Sequence, residues 1–97
     1  MASRSEQPSP ELVRQQDPVG FDGAVTDEQK ALALDGIEQL TGREREVLDL
    51  MAKAYSSKRA ARELGISPRT VEKHRHRVIR KIGAQNAADV IRIVAAL

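Results

Sequence analysis

The chain has 97 residues, a formal net charge of +2, no cysteine, and Phe21 and Tyr55 as its only aromatic residues. Disulfides and thiolate metal sites are excluded, a reducing compartment is implied, and any core must be built from Leu, Ile, Val and Ala. The small net charge hides a split: residues 1–40 carry three cations against eight acids, a net of −5, while residues 41–97 carry thirteen against six, a net of +7.

Such asymmetry points to a nucleic-acid partner for the basic half. The length allows one small domain with a tail, and such a domain buries only about 60% of its unfolded surface. No apolar run reaches about 18 residues, so no membrane span is expected. The N-terminus lacks the basic-then-apolar pattern of a signal peptide.

Residues 1–25 hold every proline except Pro68, together with Gly20, Gly23 and scattered Ser and Gln. That composition predicts a disordered acidic arm. Thr26-Asp27-Glu28-Gln29 has the form of a capping box and opens an extra helix over 26–40. Leu34, Ile37 and Leu40 recur along it at helical spacing, and Gly36 weakens it by about 1 kcal/mol relative to Ala. Thr41-Gly42-Arg43-Glu44 is a stronger capping box, with Leu40 placed as a hydrophobic staple. Val47, Leu48, Met51 and Ala52 form the apolar stripe of the helix it opens, which ends near Ala54–Tyr55.

A short helix follows from about Ser57 to Leu64, with Ser57 as its expected cap and Ala60, Ala61 and Leu64 facing inward. Lys58 and Arg59 lie in its first turn, against the preference of the helix dipole. They either face solvent or meet a phosphate. Gly65 can take the left-handed conformation, and Ser67 and Pro68 open the next helix almost at once. That helix runs to Ile82, and Gly83 ends it. Val71, Val78 and Ile82 share one stripe, flanked by His74 and the stem of Arg75. The opposite face carries Arg69, Lys73, His76, Arg77 and Arg80, with no acid among them. A short helix, a tight glycine turn and a second helix with a basic outer face make a helix-turn-helix over 57–76.

The closing segment, Ala87 to Leu97, is capped by Asn86 and has only Asp89 and Arg92 as polar residues. A helix apolar nearly all round needs more than one neighbour. Its Ala87, Ile91 and Val94 side is expected to close the core. Its Val90, Ile93 and Leu97 side is expected to meet a second copy of the chain, or else to be covered by the 26–40 helix.

Several of these motifs occur together in one family. Leu40-Thr-Gly-Arg-Glu-Arg-Glu-Val-Leu48, Ser57-Lys58, Ile66-Ser-Pro-Arg-Thr-Val-Glu-Lys-His74 and Lys81-Ile82-Gly83 stand in order. Over about Leu40 to Leu97 the chain resembles the LuxR-type helix-turn-helix domain, found in NarL/FixJ-like response regulators and quorum-sensing LuxR proteins. The resemblance implies an all-α, four-helix bundle over 41–97, here with an additional N-terminal helix. It implies a third helix in the major groove, a fourth that mediates dimerisation, and a cytoplasmic bacterial transcription regulator. The family's base-facing positions fall on Glu72, Lys73 and His76, and its backbone contacts at or near Lys58, Arg69, Thr70 and Arg77. Two positions depart from the pattern: Ala54 where the family usually has Gly, and Ala60 where it usually has a bulky Ile.

The expected function is sequence-specific binding of double-stranded DNA by a homodimer, with Val90, Ile93 and Leu97 at its interface. Lys73 or Arg77 donates to guanine, and His76 donates in a suitable protonation state. Glu72 accepts from cytosine or holds a neighbouring cation. Lys58, Arg59, Arg69, Thr70 and Arg80 fix register on the phosphates. RNA polymerase is a further candidate partner. The alternatives are a sigma-factor-like promoter-recognition domain and a helix-turn-helix fold used for protein–protein interaction. No catalytic set, cofactor motif or metal-ligand pattern points to an enzyme. His74 and His76 are two apart on a helix and diverge.

Overall fold

A computed structural model describes residues 24–97, so the arm expected over 1–25 lies outside the described residues except for Ala24 and Val25. Among the described residues there are five helices and no strand: α1 (Asp27–Glu38), α2 (Gly42–Ala52), α3 (Ser57–Leu64), α4 (Pro68–Ile82) and α5 (Ala87–Ala95). The described residues are all-α, as expected.

Each helix starts where a short polar side chain can satisfy a free amide. Thr26 and Thr41 form reciprocal capping boxes with Gln29 and Glu44. Ser67 caps α4, with Pro68 as its first helical residue, and Asn86 caps α5. The α3 cap is Ser56 rather than the expected Ser57: its hydroxyl accepts from the Arg59 amide at 3.1 Å. Two adjacent serines offer the same chemistry, and the hydroxyl of the second, Ser57, donates to Glu72 instead. Gly65 and Gly83 end α3 and α4 at φ 69° and 82°, where a side chain would be strained. Ala54 takes the same left-handed conformation, φ 63°, with a Cβ in place.

Helix α4 is the axis of the fold and packs on all four others. Its Val78 and Ile82 enter the larger core cluster with Ala33, Leu40, Val47, Leu48, Met51, Val90 and Ile93. Its Val71 enters a second cluster with Leu50, Ala60 and Ala61. Leu50, not the expected Ala52, joins the α2 stripe; Ala52 is exposed.

Two faces differ from expectation. On α1, Leu34 is 54% exposed, while Ala33 and Gly36 are buried. The reason is close approach to α4: a Cβ on Gly36 would stand 1.8 Å from the Lys81 carbonyl oxygen. Only the small-residue side of α1 can come so near. On α5, Val90 and Ile93 lie in the core at 1% and 2% exposure with Ala33 of α1 in the same cluster, so of the two expectations for this side the cover by the 26–40 helix holds and the free dimer surface does not. Ile91 is only half-buried. Because α5 is apolar nearly all round, its periodicity could not choose a side; packing against α1, α2 and α4 chose it. Leu97 lies past the helix end, 45% exposed.

Candidate nucleic-acid interface

The start of α4 is locked locally. The Ser67 hydroxyl accepts from the Thr70 amide at 3.1 Å and shares a hydrogen bond with the Thr70 hydroxyl at 2.9 Å. Val71 anchors the inner side, with no exposure. The outer side therefore has a fixed direction. Arg69, Lys73, His76, Arg77 and Arg80 are all exposed along it. Among the described residues no carboxylate lies within ion-pair distance of Arg69, Lys73, Arg77 or Arg80. These four cations of the ridge expected from the sequence thus make no ion pair, and only Arg77 feels a carboxylate, that of Glu44, beyond ion-pair distance.

His74 is turned the other way. It is half-buried, and its Nδ1 is shut from solvent without a hydrogen-bond partner.

Glu72 sits beside the ridge and is engaged. Its carboxylate accepts from the Ser57 hydroxyl at the start of α3 and faces Arg75 Nε at 3.8 Å. Of the two roles open to it in the sequence, this geometry is that of an acid holding a neighbouring cation. The contact also ties the first turn of α3 to the first half of α4. Lys58 and Arg59 are exposed on α3, and the Arg59 guanidinium lies over the Tyr55 ring, 3.8 Å from its centroid. Neither the Ser57–Glu72 nor the Tyr55–Arg59 contact was expected. The second has a local signal, an aromatic four residues before an arginine at a helix start; the first spans fifteen positions and has none.

The far end of α4 is built differently. Lys81 Nζ donates to Glu44 Oε1 at 2.8 Å and to the Gln39 carbonyl at 3.2 Å. Glu44 is buried and also accepts from the Thr41 amide at 3.0 Å. The Lys81 hydrogen bond, outweighing the opposing effect of burial, holds the Glu44 carboxyl below its ordinary value of 4.5. On α5, burial pushes Asp89 up, but the Gln85 amide and Arg92 bring it below its ordinary value. Among the described residues no three His, Asp or Glu side chains gather where they could hold a metal ion, and no helix is long and apolar enough to cross a membrane.

Comparison with known proteins places this arrangement. The family described as bacterial regulatory proteins, luxR family, matches residues 38–94. The transcriptional regulatory protein TdiR of Thauera aromatica is 42% identical over 66 residues, covering 68% of this chain and 29% of its own. The C4-dicarboxylate transport transcriptional regulatory protein DctR of Rhodobacter capsulatus is 50% identical over 50 residues, 52% of this chain and 25% of its own. The transcriptional regulatory protein UhpA of Escherichia coli (strain K12) is 40% identical over 55 residues, 57% of this chain and 28% of its own. The matched stretch thus spans less than a third of each of these relatives. No solved structure gives a significant match.

Proposed function

Because the chain belongs to the luxR family of bacterial regulatory proteins, a family of DNA-binding transcription regulators and not of enzymes, we propose that it binds specific sites on double-stranded DNA and regulates transcription from them. The N-terminal half of α4 enters the major groove. The observation that carries this is the exposed, unneutralised ridge of Arg69, Lys73, His76, Arg77 and Arg80 on a helix whose other side is fixed in the core. A solvated charged face would gain from interspersed acids; a surface for a polyanion gains from their absence.

Lys73 and Arg77 point outward at successive turns and donate to guanine O6 and N7, with His76 beside them. Glu72, held by Ser57, steadies Arg75 at the edge of the groove. Arg69, Thr70 and Arg80 on α4, with Lys58 and Arg59 on α3, meet phosphates on either side. Dimerisation falls to the outer side of α5, where Ala88 and Ala95 are exposed and Ile91 half-exposed. A two-fold pair then requires half-sites about 10 bp apart, centre to centre. The family match favours this reading over a sigma-like or protein-binding module.

The test is selection of bound duplexes from a random pool, followed by titration of variants on the selected and on random DNA. Lys73→Ala is expected to cost about 1–3 kcal/mol on the selected site and to relax one base position. Lys58→Ala is expected to weaken both DNAs alike and to lower the salt slope by about one unit. Equal loss on both DNAs for Lys73→Ala refutes its reading role.

A further inference from the structure

Tyr55 stands in the loop between α2 and α3, and that loop holds it firmly. Ala54 reverses the chain at φ 63°, and the Tyr55 amide then donates to the Leu50 carbonyl at 3.0 Å. The ring is half-buried and packs against the cluster of Leu50, Ala60, Ala61 and Val71. Over that ring lies the Arg59 guanidinium, 3.8 Å from the centroid. The backbone of Arg59 is fixed as well, since its amide donates to the Ser56 cap at 3.1 Å. Among the described residues no carboxylate lies within ion-pair distance of Arg59.

A π face restrains a guanidinium without neutralising it. An ion pair would restrain Arg59 too, but it would use up the N–H donors and the charge. Stacked on Tyr55, Arg59 keeps both, and its long side chain is already ordered. Its position decides what it can meet. The Ser57–Glu72 contact sets the first turn of α3 beside the half of α4 that is proposed to enter the groove. Ala60 and Ala61 face the core, and Arg59 lies on the opposite, exposed side of α3. A cation outside the groove-filling helix meets the groove's wall, which is phosphate rather than base edge.

Resting on the DNA-binding reading above, we propose that Tyr55 is a positioning residue that holds Arg59 ready for a backbone phosphate of duplex DNA. The stack lowers the cost of ordering Arg59 on binding, and it links a core cluster directly to the DNA surface.

A double-mutant cycle on the full chain tests this, with a short fluorescein-labelled duplex of mixed sequence as probe and a salt series for each protein. Arg59→Ala is expected to weaken binding and to lower the slope of log K against log salt by about one unit. Tyr55→Leu is expected to weaken binding about threefold while Arg59 is present, and not at all when Arg59 is already Ala. Tyr55→Phe is expected to bind as the natural chain does. Arg59→Lys leaves the Tyr55 packing untouched and keeps the charge without the flat stack; it is expected to retain the salt slope and lose about threefold in affinity. This variant can still overturn the proposal where Tyr55→Leu melts below the assay temperature. Equal loss for Tyr55→Leu with and without Arg59 would mean a purely structural ring and overturns the proposal. So does an unchanged salt slope for Arg59→Ala, or natural affinity for Arg59→Lys. Failure of the natural chain to bind any duplex overturns the DNA-binding reading itself, whereas normal binding with an indifferent Arg59 overturns only this inference.

Discussion

Toward its C-terminal end α4 places Lys81 against the buried Glu44 carboxylate at 2.8 Å, and α1 crosses so closely that Gly36 touches the Lys81 backbone. Toward its N-terminal end the same helix carries Arg69 and Lys73, with no carboxylate within ion-pair distance among the described residues. Both ends are rich in cations, and residue type does not separate them. What separates them is whether the neighbouring elements supply a partner. At the α1–α2–α4 joint they supply a carboxylate and a carbonyl, so the cation becomes part of the fold. Along the ridge they supply none, so the cations are left for a ligand.

The comparison breaks most severely at Gly36. Helix propensity alone says that Gly36→Ala should stabilise α1 by about 1 kcal/mol. The contact says the reverse, because the added Cβ would meet backbone atoms of Lys81 at 1.8 and 2.6 Å, which cannot swing aside. The variant is expected to lose about 3 kcal/mol and to melt more than about 10 °C lower by circular dichroism. A melting temperature at or above that of the natural chain would show that α1 is not clamped to α4 in this way.

Next in size is Glu44. Glu44→Gln leaves Lys81 without its charged acceptor and is expected to cost on the order of 2 kcal/mol near neutral pH. The folded-state pKa of Glu44 lies below its ordinary value of 4.5, so the stabilisation is complete above that value. It is lost as the pH falls through the lowered one. Urea titrations of the two proteins should therefore differ most near neutrality and converge in acid. A constant gap down the pH series would show that the Lys81 pair is not its source. DNA affinity of the folded fraction should be little changed, since Arg69, Lys73 and His76 of the ridge are exposed on the outer side of α4 while Glu44 is buried.

The smallest expected effect concerns the loop before α3. Ala54 holds a left-handed conformation with a Cβ present, and Ala54→Gly is expected to relieve about 1 kcal/mol of strain, less the entropy glycine adds to the unfolded chain. A small rise in melting temperature would sharpen the picture of a loop forced into this turn by what it connects; a clear fall would contradict it.

Much of the architecture was readable in the linear chain because its causes are short-ranged. The capping boxes at Thr26 and Thr41, the Ser67–Pro68 start and the glycine stops at Gly65 and Gly83 each involve partners within a few residues. The basic ridge was readable for the same reason: a helix of known start and period fixes which residues share its outer side. The errors also have one cause. Ser57, the expected cap, gives its hydroxyl to Glu72, the burial of Ala33 and Gly36 in place of Leu34 follows from the approach of α4, and the inward turn of Val90 and Ile93 from packing on α1, α2 and α4, each a neighbour far along the chain.

The order of residues by itself determined that there are five helices, where α1, α2, α4 and α5 begin and which face of α4 is cationic, since hydrogen-bond capping and helical period act over three or four positions. Only the tertiary structure decided which cations remain available, pairing Lys81 with Glu44 across 37 positions and leaving Lys73 unpaired. It alone decided which side of α5 is interior. Burial and charge neutralisation depend on what lies across the gap, and that is set by how the helices pack.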